Sequence, residues 1–398
     1  MQWVSSLSRQ SNLSGAISEC LLEINGKMGE GSAPDLFIVF SSAIHTENLD
    51  QVPQLLKFRY PDAQIIGCSG SGIIGGGVEI EGKPAISLLA AHLPDVQAAL
   101  FYISPDQLPS PDASPDEWVD LVGVEPAQGP NFLLLADPFS TAIDEIVAGL
   151  DYAYPKSPKV GGMASGAFQP GGHRVLIQTR VERDGLVGIA FTGDIVMDTV
   201  VAQGCRPIGK PMKITSSEKN VLLELDGENP IEALQKIYET LSAEDRMLLQ
   251  RSLFIGIAMD HLNENLDAGD FLIRNIVGAD TEKGLLAVGA MIQEGQIVQF
   301  HVRDAQSSAQ ELKERLLDYK KLVSGPNPEG ALLFSCTGRG QNLYGRPNHD
   351  SEIFHSLFGA VPVSGFFCSG EIGPISGTTY LHAYTSSFAF IRPLTRTG

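Results

Sequence analysis

The chain has 398 residues, with 28 lysines and arginines against 47 aspartates and glutamates, for a formal charge of −19. That balance excludes a reader of the nucleic-acid backbone, which needs a basic surface to release counterions. An apolar share of 43% beside 19% charged residues excludes a disordered chain and is enough to pack a core.

The 42 glycines and 24 prolines imply many tight turns. No apolar run reaches the 18 or so residues of a membrane span; the longest, such as LLAVGAMI at 285–292, suit a buried strand. The opening MQWVSSLSRQSN lacks the apolar stretch of a secretory signal, and the five cysteines are scattered and odd in number. A cytoplasmic location without disulfides is the expectation.

Residues 1–29 read as an N-terminal helix with Ile17, Cys20, Leu21 and Ile24 on one face. From residue 30 one pattern occurs three times. It opens with a short apolar strand: LFIVFS at 36–41, FLLLAD at 132–137 and ALLFSC at 331–336. A helical stripe follows, carried by Leu49, Val52 and Leu56, then by Ile143, Ile146, Val147 and Leu150, then by Ile353, Phe354, Leu357 and Phe358. A second strand then ends in a glycine-serine turn: IIGCSG at 65–70, VGGMASG at 160–166 and SGFFCSG at 364–370. Strand, helix and strand at this length make a crossover between parallel strands. Trailing segments at 85–93, 175–193 and 380–391 read as additional antiparallel strands.

Residues 104–130, rich in proline and acid, read as a solvated connector with one short helix around Trp118. Asn229, Pro230 and Glu232 open a helix that runs to Leu241, and a four-strand meander follows, its last two strands joined by the turn Gln293, Glu294, Gly295. A long helix with Ala309, Leu312, Leu316, Tyr319 and Val323 on one face is expected to stop at Gly325 and Pro326. The predicted class is mixed α/β, with pseudo-repeated strand-helix-strand units, additional antiparallel strands and two domains, 30–221 and 222–398.

Several motifs fail on context. GSGIIG at 70–75 satisfies the dinucleotide fingerprint, but the segment after it alternates and turns where a helix must begin. Ser69, in Gly67-Cys68-Ser69-Gly70-Ser71, misses a nucleophile elbow because Ser71 replaces the closing glycine. No metal-ligand spacing appears, so neither a metal nor a cofactor is expected; the alternative is that Cys68, Cys336, Cys368 and His382 converge in space as ligands. What remains is the turns, whose glycines let a ligand approach backbone N–H groups beyond the ends of parallel strands.

The segments 334–350 and 365–377 are the richest in candidate side chains. Arg339, between Gly338 and Gly340, offers a planar fork for a carboxylate, and Glu371 could accept an amine, so the pair would suit a zwitterion; alternatively they brace each other. Cys336 has Arg339 three residues on, whereas Cys368 has Glu371 at that offset, so Cys336 is the better candidate nucleophile, with His349 or His382 as base. A strand-end thiol that only packs is the competing reading.

The combination FSCTGRG, GFFCSGEIGP and LHAYTSSFA, with FLIRNIVGAD, GCSGSG and VGGMASG upstream, resembles the FIST sensory-domain family: about 30–220 resembles its N-terminal part and 222–390 its C-terminal part. The resemblance implies a small-ligand sensor with amino acids as ligand class. With 30–390 so used, output is expected to pass through a protein partner. By motif it carries over Cys336, Gly338, Arg339, Cys368, Gly370, Glu371 and His382, together with Arg274, and in the N-terminal part Gly67, Cys68, Ser69, Gly162 and Ser165. The expected ligand-binding set is Cys68, Ser69, Ser71, Ser165, Arg274, Cys336, Arg339, Cys368, Ser369, Glu371 and His382, with no catalytic residue assigned. The alternatives are a protein-interaction scaffold without a ligand and an enzyme using Cys336.

Overall fold

A computed structural model describes residues 1–398 except 30–31, 111, 262, 264–265, 324–326 and 395–398. The expected helix stop at Gly325 and Pro326 lies outside the described residues; the helix itself spans Ala305–Leu322. The chain is mixed α/β, and strand (39%) exceeds helix (29%) because hairpins and a barrel add antiparallel strands to the crossovers. Among the described residues no helix is long and apolar enough to cross a membrane.

Two compact units divide the chain. The first holds Met1–Val201, Arg315–Leu381 and Thr385–Gly398; the second holds Ala202–Glu314 with His382–Tyr384.

The first unit contains three six-stranded sheets of one plan. At the centre of each is a parallel pair: Leu36–Ser42 with Gln64–Gly70, Asn131–Ala136 with Lys159–Met163, and Gly330–Cys336 with Val363–Cys368. The first strand of each pair is largely apolar because both faces are covered. On the outer face of the first sheet, the helix Leu13–Lys27, capped by the Asn12 side chain, packs Ile17, Cys20 and Ile24 with Phe37 and Val39. On the second, the helix Pro115–Val122 inside the expected connector buries Trp118 against the backbone of Gly149, where a Cβ would stand 2.0 Å from the indole. The inner faces share one core, in which Phe40 of the first sheet stacks on Phe366 of the third at 5.1 Å. Each such side chain removed from water stabilises the fold by about 1.5–3 kcal/mol.

Each sheet is completed by a hairpin from another repeat. The strands Gly72–Gly75 and Val78–Glu81, which follow the first parallel pair, join the third sheet. Val175–Ile177 and Arg180–Glu182, which follow the second pair, join the first sheet. Glu371–Ile375 and Thr378–His382, which follow the third pair, join the second sheet. The exchange is cyclic, so the three repeats close on themselves.

The second unit is a closed barrel in the order Arg206–Glu218, Val221–Leu225, Leu285–Val288, Phe271–Asp280, Leu253–Ala258 and Ile297–Val302. Ile214, Leu222, Ile255, Val288 and Phe300 form its core. The helix Pro230–Thr240 begins where the Asn229 side chain accepts the Ile231 and Glu232 N–H groups. The Arg206 guanidinium ties Asp304, at 3.0 Å, to Asp245.

Candidate functional site

Gly67, Gly161 and Gly365 lie opposite Val39, Leu134 and Leu333 of their parallel neighbours. A Cβ on these glycines would fall 2.2, 1.8 and 1.8 Å from the neighbour's carbonyl oxygen, so each site accepts only glycine. Four residues beyond each comes a serine followed by glycine: Ser71-Gly72, Ser165-Gly166 and Ser369-Gly370. These serines are therefore equivalent positions of the three repeats.

Their turns are linked in a ring. The Ser165 N–H donates to the Ser69 carbonyl at 3.2 Å, and the Ser369 N–H donates to the Met163 carbonyl at 3.0 Å. The third link passes through a side chain: the Ser71 N–H donates to Ser165 Oγ at 2.8 Å, and that hydroxyl donates to the Phe367 carbonyl. Ser69, Met163 and Phe367 occupy the same position in their repeats, so a hydroxyl stands in one link where two backbones meet directly in the others.

A cavity of about 550 Å³ opens at this ring. The first repeat contributes Ser71, Glu81 and Gly82, the second Ser165, Gly166, Ala167 and Phe168, and the third Thr337, Gln341, Asn342, Phe367 and Ser369. The cavity therefore lies past the carboxyl ends of the parallel strands, where open α/β sheets hold ligands. Among these described residues Glu81 carries the one ionisable side chain. Its Oε1 accepts the Gln341 N–H at 3.0 Å. Burial and the nearby Asp350 carboxylate raise its pKa against that hydrogen bond.

Behind the cavity wall lies a buried polar cluster. The Arg339 guanidinium grips Asp350 with both ends of its fork, Nε to Oδ2 at 2.9 Å and Nη2 to Oδ1 at 3.2 Å, and lies 5.5 Å from the Tyr344 ring centre. His349 and Ser386 also hold Asp350, at 2.8 and 2.6 Å. Burial pushes the Asp350 carboxyl up, but Arg339, His349 and Ser386 outweigh it and keep the group well below the usual carboxylate range. Glu79, 3% exposed, accepts the Ser351 N–H at 2.7 Å. Burial, then repulsion from Asp350, push its carboxyl up to about 7.

A second cluster holds the Gly166 loop. His173 Nδ1 meets Asp137 at 3.0 Å, and the Ala167 N–H donates to His173 Nε2 at 3.2 Å, which assigns the ring proton to Nδ1. Burial of Asp137 is outweighed by bonds from His173, Ser140 and the Phe139 N–H, so its pKa is lowered.

Of the residues expected from sequence, Ser71, Ser165 and Ser369 line the cavity. Ser69 sits one pair further into its strand, its hydroxyl accepting the Arg174 N–H at 3.0 Å. Cys68 and Cys368 are fully buried beneath the turns, and burial drives both thiols well above their ordinary pKa. Cys368 packs on Gly162, where a Cβ would lie 2.4 Å from its sulfur. Cys336, 8% exposed, accepts the Gly338 N–H at 3.5 Å. Arg339 and Glu371 are both 0% exposed, and Glu371 Oε2 accepts the Thr385 N–H at 3.1 Å. Arg274 lies on the barrel strand Phe271–Asp280, its Nη1 donating to the Ile273 carbonyl at 3.0 Å. It and His382 belong to the second unit. Sequence reasoning missed Glu81, Gln341 and Asp350. The spacing of glycine to serine, repeated at 67–71, 161–165 and 365–369, was the available signal for the serine ring.

The model of the FIST N domain matches residues 35–228, and that of the FIST C domain matches 231–374. An uncharacterized protein of Mycobacterium tuberculosis is 33% identical over 359 residues, 90% of this chain and 91% of that protein. An F-box/LRR-repeat protein of Arabidopsis thaliana is 25% identical over 312 residues, 67% of this chain and 58% of that protein. A crystal structure of cyanuric acid hydrolase from A. caulinodans aligns over 99% of both chains at 8% identity and a TM-score of 0.36. With both domain models matched over most of its length, the chain belongs to the FIST family, whose domains are sensory, ligand-binding signalling domains.

Proposed function

We propose that this protein is a cytoplasmic sensor or adaptor that binds its small ligand in the cavity at the ring of turns and reports occupancy to a protein partner. The observation that carries this reading is that Ser71, Ser165 and Ser369, equivalent positions of repeats far apart in sequence, line one cavity. A ligand there touches all three repeats, so its binding can bias how the turns are arranged by its differential affinity for the arrangements. The Ser71 and Ser369 hydroxyls have no protein partner among the described residues and are available to it.

Amino acids and similar zwitterions are the ligand class carried forward, with Glu81 toward the ammonium and the neutral donors of Thr337, Asn342 and Ser369 toward the carboxylate. Arg339 acts one layer back. Its fork is occupied by Asp350, so it holds the segment around Gln341 and Tyr344 in place.

Thermal-shift screening against amino acids and small carboxylates tests the reading. A ligand at 100 times its dissociation constant stabilises the fold by about 2.7 kcal/mol. Ser369→Trp, at an exposed position, fills the cavity and should abolish the shift; a shift that survives it overturns the assignment.

A further inference from the structure

We propose that the cavity selects an organic cation, an amine or guanidinium group, and that the Glu81 carboxylate makes the choice; this rests on the cavity being the ligand site. Charge on the wall is one-sided. Glu81 Oε1 is engaged by the Gln341 N–H, while Oε2 has no hydrogen-bond partner and the side chain no ion pair among the described residues. The carboxylate is held close to the backbone at Gly340, whose φ of +61° favours glycine and whose Cβ would stand 2.5 Å from Oε1. Any other residue there would displace it.

Two residues back on the same strand, and so on the same face, Glu79 lies in the interior with Oε2 unpartnered, and burial favours its neutral form, so Glu81 is the charge that faces the cavity. Asp350 is balanced by Arg339, whereas the described lining holds no cation to balance Glu81. A low-dielectric wall of one sign concentrates the opposite charge in front of it. The remaining lining fits that reading: serine hydroxyls and the side-chain carbonyls of Gln341 and Asn342 can accept from N–H donors, and Phe168, 99% exposed, offers a ring face to a cation. A ligand carboxylate gains no charged partner here and meets the field of Glu81. An amine should therefore bind at least as well as the amino acid that carries the same side chain.

Calorimetry with agmatine, arginine and valerate at low ionic strength tests this on the full chain. The expected result is that agmatine binds at least as tightly as arginine, valerate does not bind, and Glu81→Gln weakens agmatine by about tenfold, the effect of losing about 1.4 kcal/mol. A melting temperature for Glu81→Gln close to wild type shows that the variant folds. Three results would overturn the proposal: no agmatine binding up to about 10 mM, agmatine affinity unchanged in Glu81→Gln, or equal stabilisation by magnesium ion. The cavity reading fails separately. If Ser369→Trp leaves agmatine binding intact, the cavity is not the site; if Ser369→Trp abolishes binding of a neutral or anionic solute that Glu81→Gln leaves unchanged, the cavity stands and the cation preference falls.

Discussion

The parallel pair Leu36–Ser42 and Gln64–Gly70 has a cavity at each end. The one at the strand starts, about 680 Å³, is bounded by Asp35, Tyr60, Gln64, Leu93 and neighbours, all between residues 33 and 98. The one past the strand finishes, about 550 Å³, is smaller and draws on all three repeats. The larger is a crevice in one stretch of chain, whereas the smaller is a junction whose walls can answer a ligand together. The first has the greater volume; the proposed reading rests on the second because equivalent turns, a buried acid cluster and an unpaired carboxylate meet there.

The largest loss is expected at the ion pair behind the junction. Arg339→Leu leaves Asp350 buried without its cation and should cost about 3–5 kcal/mol, read by denaturant unfolding. Arg339→Leu combined with Asp350→Leu should recover much of that loss, because the uncompensated charge is gone. A near-neutral single variant would mean that Arg339 is not the brace described.

Glu79 gives the junction a pH dependence. Its folded pKa, about 7, lies above the ordinary 4.5, so the folded state keeps a proton that the unfolded chain has released. Its contribution is therefore full below about pH 4.5, falls as pH rises and is lost above about pH 7. Asp350 has the opposite sign: its lowered pKa gives stability that is present above its ordinary value and lost as pH falls below it. Glu79→Gln imitates the protonated acid. Its melting temperature should match wild type near pH 5 and exceed it at pH 8, by a stability difference on the order of 2 kcal/mol. A constant gap between the two pH values would remove Glu79 as the titrating group. The smallest effect belongs to the other cavity: Ala33→Trp, at an exposed position on its wall, should change stability by no more than about 0.5 kcal/mol and leave any ligand-induced thermal shift intact.

The three repeats were legible because strands covered on both faces must be apolar throughout, and because the turns after them are marked by glycine and serine. The register within the turns was harder to read. Cys68-Ser69-Gly70 looks like Cys368-Ser369-Gly370, yet the glycines packed on their neighbours make Ser71, and not Ser69, the counterpart of Ser369. Arg339 misled for a similar reason. Flanking glycines suggested an open side chain, but Gly340 makes room for Glu81 and the arginine is wholly enclosed. Its partner Asp350 lies eleven positions on, past a turn, which no helical or strand period connects. The four strands between 253 and 302 were visible but not their pairing: Ile297–Val302 joins Leu253–Ala258 and Arg206–Glu218 instead of Leu285–Val288, and Arg206–Glu218, with two prolines, four charges and three hydroxyls, carried too weak a strand signal to show that the barrel closes.

The traded hairpins also dictate an order of assembly. As the nascent chain leaves the ribosome, the first sheet is complete once residues 175–182 emerge, but the second must wait for 371–382. The hairpin 72–81 exists long before its partner strand Val363–Cys368 has been made. Synthesis must therefore pass residue 382 before the second sheet is whole and the cavity rim is closed, and until then the chain presents an open strand edge to chaperones.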